Sequence, residues 1–508
     1  MGNYYIGMDI GTSGVRAVLF DENGAQSSME FIECPVEMST EGIAELDPVF
    51  VFNAVIGVLN SSFKKAKTEG KSVAGLGISC HMHSLMAVDE RGDPLTRLII
   101  WADTRAGKEA HHINTAYDVS DLYNRTGCRV QHPMYPLSKI LWLRNNKKDI
   151  FEKAFKFITI KEFVLLKLYG EYVVDCTLAS CQGYYNINTQ EWDGHILENV
   201  LGIGRERLST VVECTHVLTD MRPEYAHMLG VDRDFPVTVG SGDGIMANLG
   251  CGVYDGTSLS STIGTSGAIR TTVKRPLLDP EQRTWCYSFT RDAWVAGGAI
   301  NNGGIVLKWL RETFRKQFEC DAAAYGESVY KLFDRYASEI PPGSEGLIFL
   351  PYLTGERSPD WNAGVRGLMY GLDYSHGKKH MVRAAMEGVV YRMYSVYEVM
   401  SKLNDTVKYI RANGGYTKSE VWLQIQADVF NKEILVSGIV EASALGAAFL
   451  SMVSQGAVED TSRLLPGMQP RKVIKPIEHN HEIYRKAYEL SKQVYGNVYY
   501  SDNRGSGL

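Results

Sequence analysis

Residues 4–24 read YYIGMDIGTSGVRAVLFDENG, and this stretch sets the expected fold class. Apolar residues alternate with others before the glycines and again after them, and Asp21–Gly24 has the composition of a turn. A dinucleotide-binding fingerprint needs the spacing GxGxxG followed by a helix, and a P-loop needs GK followed by Ser or Thr. Neither is present, so the pattern predicts strand, tight glycine-rich turn, strand.

The turn itself has the composition of a phosphate cradle. Gly11 permits backbone conformations that bring successive N–H groups towards an anion, and Thr12 and Ser13 add hydroxyl donors. Asp9 places a carboxylate at the same mouth, which is consistent with a phosphate only if a cation such as Mg²⁺ lies between them. The alternative is a plain hairpin with an acidic residue near its turn.

The pentapeptide IGTSG occurs a second time, at 263–267, 253 positions after the first copy at 10–14. Its surroundings, SLSSTIGTSGAIRTTV, again predict strand, turn and strand, but Thr262 stands where the first copy has Asp9. We therefore expect two similar α/β domains related by duplication, at 1–253 and 254–508, with a nucleoside triphosphate held between two hairpins, only one of which carries the metal ligand.

Bulk composition narrows the class of protein. A chain of 508 residues is too long for one hydrophobic core, and a net charge of −6 without a basic block argues against nucleic acid and anionic membranes as partners. No segment reaches the ~18 apolar residues of a membrane span. The N-terminus does not resemble a signal peptide, and nine scattered cysteines are typical of reduced thiols, so we expect a cytoplasmic protein. A homodimer stays an open alternative.

Two segments combine strand patterns with reactive side chains. Asp243 follows an apolar strand in FPVTVGSGDGIMANLGCG, where it either caps a helix or acts as a general base at the mouth of a parallel sheet. In LGISCHMHSLMAVD, His81 and His83 alternate onto one face. No third metal ligand has a matching spacing, so hydroxyl recognition is favoured over a metal site.

Two further segments have candidate binding residues. Trp101, Asp103 and Arg105 end a strand in LIIWADTRA, which suits polyol or anion binding, or equally an internal ion pair. His132 and Lys139 belong to a proline-punctuated loop and helix, where they face a substrate or, for Lys139, form a surface salt bridge.

Glycines precede a predicted helix in RANGGYTKSEVWLQIQADVFN. Thr417 and Glu420 have the spacing of a capping box, so the helix is expected to start near Lys418. Glycines before a helix allow a base or a phosphate to lie close.

With these segments together, the chain resembles the FGGY carbohydrate kinases, an actin-like and ribonuclease-H-like family of two domains, from about residue 4 to about residue 455. The resemblance rests on seven segments in family order. They are GMDIGTSGVRAVLFD, MYPLSKILWLRNN, GSGDG, the second IGTSG, GERSP, GLMYGLDYSHGKKHMVRAAME and GGYTKSEVWLQIQADV.

The resemblance implies ATP and Mg²⁺ as cofactors and a small sugar or sugar acid as substrate. It implies that Asp243 is the base and that Asp9, with Asp243, holds the metal. The implied nucleotide contacts are Gly11, Thr12, Ser13, Gly264, Thr265, Gly304, Lys308, Gly415 and Ser419. The implied sugar contacts are Met82, His83, Trp101, Asp103, Arg105, His132 and Asp243.

The segments around residues 83, 101 and 132 are most similar to the gluconate kinase branch of this family. That branch implies phosphorylation of D-gluconate to 6-phosphogluconate. Xylulose kinases resemble it but typically have Gln-Met-His-Gly where residues 81–84 read His-Met-His-Ser, and glycerol kinases have Arg-Glu in place of Met-His. A xylulose or other pentulose kinase stays the alternative within the family, and an actin-like or chaperone-like ATPase switch is the alternative of another class.

Overall fold

The computed structural model of the chain describes residues 2–463 and 465–499. The chain forms two compact units, each built from several segments. The first unit comprises residues 1–255, 272–296 and 441–469, and the second comprises 256–271, 297–440 and 470–508.

Helices and strands alternate along most of the described chain. The helices are α1 (Pro48–Thr68), α2 (Gly107–Ala116), α3 (Val119–Thr126), α4 (Pro136–Asn146), α5 (Lys148–Lys153), α6 (Ile160–Tyr169), α7 (Cys176–Ser180), α8 (Pro223–Leu229), α9 (Asp243–Gly250), α10 (Ile305–Thr313), α11 (Arg315–Tyr325), α12 (Val329–Glu339), α13 (Lys378–Leu403), α14 (Glu420–Phe430), α15 (Ala442–Ser454) and α16 (Glu478–Tyr499). The strands are β1 (Asn3–Ile10), β2 (Gly14–Asp21), β3 (Gln26–Glu33), β4 (Glu37–Met38), β5 (Ala44–Leu46), β6 (Ser72–Cys80), β7 (Met86–Val88), β8 (Leu98–Ile99), β9 (Lys156–Ile158), β10 (Val173–Asp175), β11 (Tyr185–Asn186), β12 (Glu191–Trp192), β13 (Thr210–Val212), β14 (Val217–Leu218), β15 (Val237–Gly242), β16 (Ser258–Ile263), β17 (Gly267–Val273), β18 (Trp285–Thr290), β19 (Ala293–Ile300), β20 (Ile348–Leu350), β21 (Leu368–Tyr370), β22 (Tyr409–Asn413), β23 (Glu433–Val436) and β24 (Lys472–Ile474).

The central sheet of the first unit has the strand order β14-β15-β6-β1-β2-β3. β1 and β2 are antiparallel and in register from Tyr4 opposite Asp21 to Ile10 opposite Val15, which confirms the predicted hairpin. β6 runs parallel to both β1 and β15. The carboxyl ends of three parallel strands therefore meet at one edge of the sheet, and ligands bind at that edge in open α/β sheets.

A helix of small residues packs closely in the first unit. A Cβ added to Gly446 of α15 would lie 1.9 Å from the carbonyl oxygen of Met246 in α9, and one added to Gly7 of β1 would lie 1.8 Å from the carbonyl oxygen of Ala444. Real Cβ atoms do not approach so closely, so glycine is required at both positions. Small residues therefore allow α15 to pack closely in this unit.

The second unit has a sheet that contains the strand order β17-β16-β22-β23-β24. β16 and β17 pair antiparallel around the second IGTSG, as the sequence predicts. The core of this unit is built largely on the long helix α13, and Tyr484 and Tyr488 bring α16 into it. The sequence patterns did not indicate α16. Residues 501–508, SDNRGSGL, have the composition of a loose tail, and they lie outside the described residues.

Over residues 2–463 and 465–499, no helix combines the length and apolar character needed to cross a bilayer.

Candidate functional site

The first IGTSG forms a closed turn between β1 and β2. The Gly11 amide donates to the Gly14 carbonyl at 3.0 Å. A Cβ at Gly14 would lie 2.5 Å from the Ile32 carbonyl oxygen on β3, so close packing requires glycine there. Thr12 is half-buried and Ser13 is exposed, so this turn presents hydroxyl groups to solvent on a rigid base.

Asp9 lies at the end of β1 and is 8% exposed. Its Oδ1 accepts a hydrogen bond of 2.7 Å from the Ser79 hydroxyl on the adjacent strand, and its Oδ2 lies 3.7 Å from Nε of Arg16. Arg16 in turn pairs with Glu441 at 2.8 Å. Burial raises the pKa of the Asp9 carboxyl, an effect that the Ser79 hydroxyl and Arg16 partly offset. A buried carboxylate whose charge is costly gains most from a bound cation.

The side chains around Asp9 limit which metal ion this part of the sheet could bind. Within the residues that the structure describes, no three His, Cys, Asp or Glu side chains group together as a metal cage. Mg²⁺ does not need such a cage, because it keeps several waters and takes one or two carboxylates plus substrate phosphates. Asp9 beside a phosphate-type turn fits that kind of site.

Asp243 is the first residue of α9, directly after β15. Gly242 occupies the cap position, and the Asp243 Oδ1 accepts a hydrogen bond only 2.6 Å long from the neighbouring Gly244 amide. The alternative of a helix-capping Asp243 is therefore wrong. In the sheet, β6 separates β15 from β1: Gly242 lies beside Cys80, and Asp9 lies beside Ser79. This register places Asp9 and Asp243 at the same edge of the sheet.

The two histidines near that edge are buried and differ in their contacts. His81 Nδ1 lies 3.1 Å from the Ile10 carbonyl oxygen, and burial lowers the pKa of His81 to about 4, so its ring is neutral at physiological pH. His83 has a φ of 63°, a left-handed conformation that is costly for a residue with a side chain. Its Nε2 lies 3.2 Å from the Tyr287 hydroxyl, and its ring meets that of Tyr135 edge-on at 5.2 Å.

Met82 lies between these histidines and approaches the strand that leads to Asp243. A Cβ at Gly242 would lie 2.7 Å from the Met82 side chain, so glycine there leaves room for it. The structure therefore brings Met82 close to the residue that precedes Asp243.

The segment after β8 forms the internal ion pair that the sequence left as an alternative. Asp103 is fully buried and accepts hydrogen bonds from the Ala44 amide at 2.8 Å and from the Arg105 guanidinium at 2.6 Å. Arg105 also donates to Glu45 at 2.6 Å. Trp101 is 41% exposed, so it is the accessible side chain of the three expected sugar contacts here.

His132 lies in the loop before α4, and Lys139 lies within that helix. The His132 Nδ1 accepts a hydrogen bond of 3.2 Å from the Met134 amide, and its ring is half-buried. Lys139 is 1% exposed, and its Nζ donates to the carbonyl oxygens of His83 at 2.7 Å and Ile100 at 2.8 Å. The surface salt bridge expected for Lys139 is wrong, because the helix face that carries it is buried.

The second IGTSG is supported by the loop that follows β19. The Gly303 amide donates to the Thr265 carbonyl at 3.1 Å, and the Gly304 amide donates to the Gly264 carbonyl at 2.7 Å. A Cβ at Gly304 would lie 2.7 Å from the Gly264 oxygen. Lys308, one turn further along α10, is exposed. The backbone of Gly264, Thr265 and Gly304 therefore forms one cluster, and Lys308 follows on the adjoining helix.

Residues 413–419 extend the same unit from the end of β22. The Thr262 hydroxyl donates to Asn413 Oδ1 at 2.7 Å. Gly414 has a φ of 95°, and nothing lies within 4 Å of a Cβ built on Gly415. Ser419, not Thr417, caps α14, accepting from the Trp422 amide at 3.1 Å. The capping box predicted at Thr417 is therefore wrong, and the helix starts at Glu420.

Sequence reasoning missed several residues of this arrangement. Ser79, Arg16 and Glu441 surround Asp9, and Tyr287 contacts His83 from more than 200 positions along the chain. For Ser79 a signal was available, since it is a polar residue in an apolar strand. Arg16 also had a signal, since it lies opposite Asp9 across the predicted hairpin. For Glu441 and Tyr287, the contact depends on long-range packing.

Comparisons with known proteins agree with the resemblance seen in the sequence. The model of the N-terminal domain of the FGGY family of carbohydrate kinases matches residues 4–250, and that of its C-terminal domain matches residues 259–455. A gluconokinase from Bacillus subtilis (strain 168) is 40% identical over 486 residues, which are 96% of this chain and 94% of that protein.

Two solved structures from Lactobacillus acidophilus have a similar fold over nearly the whole chain. A gluconate kinase matches with a TM-score of 0.91 at 34% identity, over 99% of this chain and 100% of the other. A ligand-bound xylulose kinase matches with a TM-score of 0.91 at 33% identity and the same coverage. The α/β fold class expected from the sequence is confirmed.

Proposed function

Since this chain belongs to the FGGY family of carbohydrate kinases, we propose that it is an ATP-dependent gluconokinase that forms 6-phosphogluconate from D-gluconate. The observation that carries the proposal is the common sheet edge at which Asp243 follows β15 and Asp9 ends β1, with β6 between them. Phosphoryl transfer needs a base, a neutralising cation and a phosphate cradle, and this edge offers residues for each.

In the proposed reaction, Asp243 takes the proton from the 6-hydroxyl of gluconate. The oxygen then attacks the γ-phosphorus in line, the bond from that phosphorus to the bridging oxygen breaks, and ADP leaves. Support comes from the position of Asp243 at the head of α9, where its carboxylate is fixed by the Gly244 amide rather than used as a cap. Most of the rate enhancement would come from positioning and from electrostatic stabilisation.

Asp9 would hold Mg²⁺ through the hydration shell of the ion, and Asp243 would complete the metal's surroundings. When bound, the ion supplies positive charge against the transferring phosphoryl group. The Ser79 hydroxyl favours the ionised form of Asp9 and orients it. Arg16 forms its shorter ion pair with Glu441 and not with Asp9. Ser79 and Arg16 thus favour the ionised Asp9 carboxylate that a metal would need, although burial opposes its charge.

We propose a division of labour between residues 1–253, which supply the sugar site and first hairpin, and residues 254–508, which supply the nucleotide site. The family models, matched over 4–250 and 259–455, support that division. Gly11, Thr12 and Ser13 are proposed phosphate contacts of the first unit, and Gly264 and Thr265 are proposed phosphate contacts of the second. Gly304 and Lys308 would lie near the phosphates, and Gly415 and Ser419 would flank the adenosine.

The choice of gluconate rests on similarity to gluconokinases over nearly the full chain. The proposed sugar contacts with accessible or half-buried side chains are Met82, Trp101 and His132, whereas His83 is buried. Asp103 and Arg105, whose charged groups already pair with each other, remain proposed sugar contacts beside Trp101. A xylulose or other pentulose kinase is the second candidate, favoured by the similarity to the xylulose kinase structure.

An ADP-release assay tests the proposal over gluconate, xylulose, ribulose, fuculose and glycerol. The proposal expects gluconate to give the highest kcat/KM. A preference for xylulose would overturn the substrate while leaving the kinase standing. ATP hydrolysis at one rate with every sugar would instead support an actin-like or chaperone-like ATPase switch.

We propose a cytoplasmic location, which is supported by the nine cysteines, all of which are thiols in the structure. Thiols in such number are typical of a reducing compartment. A homodimer stays an open alternative to a monomer, and sedimentation of the purified protein separates the two.

A further inference from the structure

Lys139 has an unusual position for a lysine. It lies on α4 with its side chain 1% exposed. Its ammonium donates to the His83 carbonyl at 2.7 Å and to the Ile100 carbonyl at 2.8 Å. These acceptors belong to two separate segments, 81–84 and 100–105, and both contain proposed sugar contacts. One buried side chain therefore links two parts of the proposed sugar site.

His83 is the residue in this site whose backbone most needs support. Its φ of 63° is a left-handed conformation, which residues other than glycine rarely adopt unless the surroundings enforce it. Lys139 holds its carbonyl, and the Tyr287 hydroxyl meets its imidazole at 3.2 Å. Tyr287 is itself fixed by stacking on Trp285, with ring centroids 4.5 Å apart and planes 8° from parallel. His83 is thus anchored at both its backbone and its side chain.

The two hydrogen bonds of Lys139 do not depend on its charge. Burial lowers the pKa of Lys139 to about 7, with Asp103 acting in the opposite direction. A neutral amine still has two N–H donors, so both carbonyls stay satisfied whichever form is present. Replacing the lysine by methionine would leave both buried carbonyls without that donor while roughly preserving the volume of the side chain.

We propose that Lys139 is a positioning residue for the sugar: it fixes the strained His83 turn against the Ile100 segment and so sets the shape of the sugar site. The inference rests on the proposed function for the identity of the substrate. The contacts of Lys139 do not depend on that function. Lys139 acts through backbone atoms of other residues and does not itself meet the reacting groups.

The test compares Lys139→Met with Lys156→Met. Lys156 is a matched control because its Nζ also donates to two backbone carbonyls, those of Glu206 at 2.8 Å and Leu208 at 2.7 Å, away from the sugar segments. We expect Lys139→Met to raise the KM for gluconate at least tenfold, or about 1.4 kcal/mol, with the KM for ATP within twofold of the wild type. Lys156→Met should change neither KM.

A second readout does not require activity. Hydrogen–deuterium exchange of the ligand-free protein should be faster in the peptide around residues 80–86 for Lys139→Met than for Lys156→Met. Equal exchange in the two variants, or a gluconate KM within twofold of wild type, would overturn the positioning role. A proportional rise in both KM values would also overturn it, because general loss of structure has that signature.

If Lys139→Met does not fold, Tyr287→Phe carries the same test, since it removes the other anchor of His83 and keeps the ring. It should raise the gluconate KM and leave the ATP KM unchanged, and an unchanged gluconate KM would overturn the inference. A wild-type protein inactive on all sugars refutes the proposed function, whereas the exchange result still decides the role of Lys139.

Discussion

Ser79→Ala tests whether the buried carboxylate of Asp9 is held ionised for a metal. The Ser79 hydroxyl donates to Asp9 Oδ1 at 2.7 Å in a nearly solvent-free setting. A hydrogen bond to a charged group contributes about 1.5–3 kcal/mol. Because 1.4 kcal/mol corresponds to a factor of ten, losing about 2 kcal/mol should weaken apparent Mg²⁺ binding by about thirtyfold.

The assay measures the free Mg²⁺ concentration that gives half-maximal ADP release with gluconate, at pH 8 and at pH 6. Burial already raises the pKa of Asp9, and Ser79 acts against that rise. Without Ser79 the pKa moves further up, so a larger fraction of Asp9 is protonated as the pH falls. The loss should therefore be larger at pH 6 than at pH 8.

Ser62→Ala is the matched control, because Ser62 is equally buried and its hydroxyl has no hydrogen-bond partner among the described residues. It should leave the Mg²⁺ dependence unchanged. If Ser79→Ala shifts the half-maximal Mg²⁺ concentration by less than twofold at both pH values, the reasoning about Asp9 is refuted.

Two further predictions concern the base and the packing. Asp243→Asn should leave ATP binding by calorimetry nearly intact but cut ADP release by about 10²–10⁴-fold, as expected when a general base is lost; near-wild-type turnover would remove Asp243 from that role. Gly446→Ala should destabilise the protein by at least about 1–3 kcal/mol, since its Cβ would meet the Met246 carbonyl oxygen at 1.9 Å. Gly107→Ala, with nothing within 4 Å, should not lower the melting temperature, and equal melting of the two variants would contradict the packing argument.

Local patterns were sufficient to predict the parts of the fold that depend on nearby residues. The alternation on either side of both IGTSG turns gave the hairpins β1–β2 and β16–β17, because side chains of a strand point to opposite faces with a period of two.

Contacts between distant segments could not be predicted in the same way. Lys139 has the sequence context of a surface lysine, but its acceptors are backbone carbonyls 56 and 39 positions away, which carry no side-chain signature. Thr417 was predicted to cap α14, but a 3₁₀ turn at Gly415–Lys418 takes up that residue and Ser419 caps the helix. The structure of α16 depends on tyrosines that pack onto α13, which local propensity does not reveal.

In the proposed reaction the chain transfers a phosphoryl group to a sugar acid instead of to water. The most direct measurement incubates the protein with ATP, Mg²⁺ and D-gluconate and follows phosphorus-31 NMR spectra of the products. We expect ADP and 6-phosphogluconate in equal amounts, with no orthophosphate above the protein-free control. ADP accompanied by an equal amount of orthophosphate, and by no sugar phosphate, would contradict it.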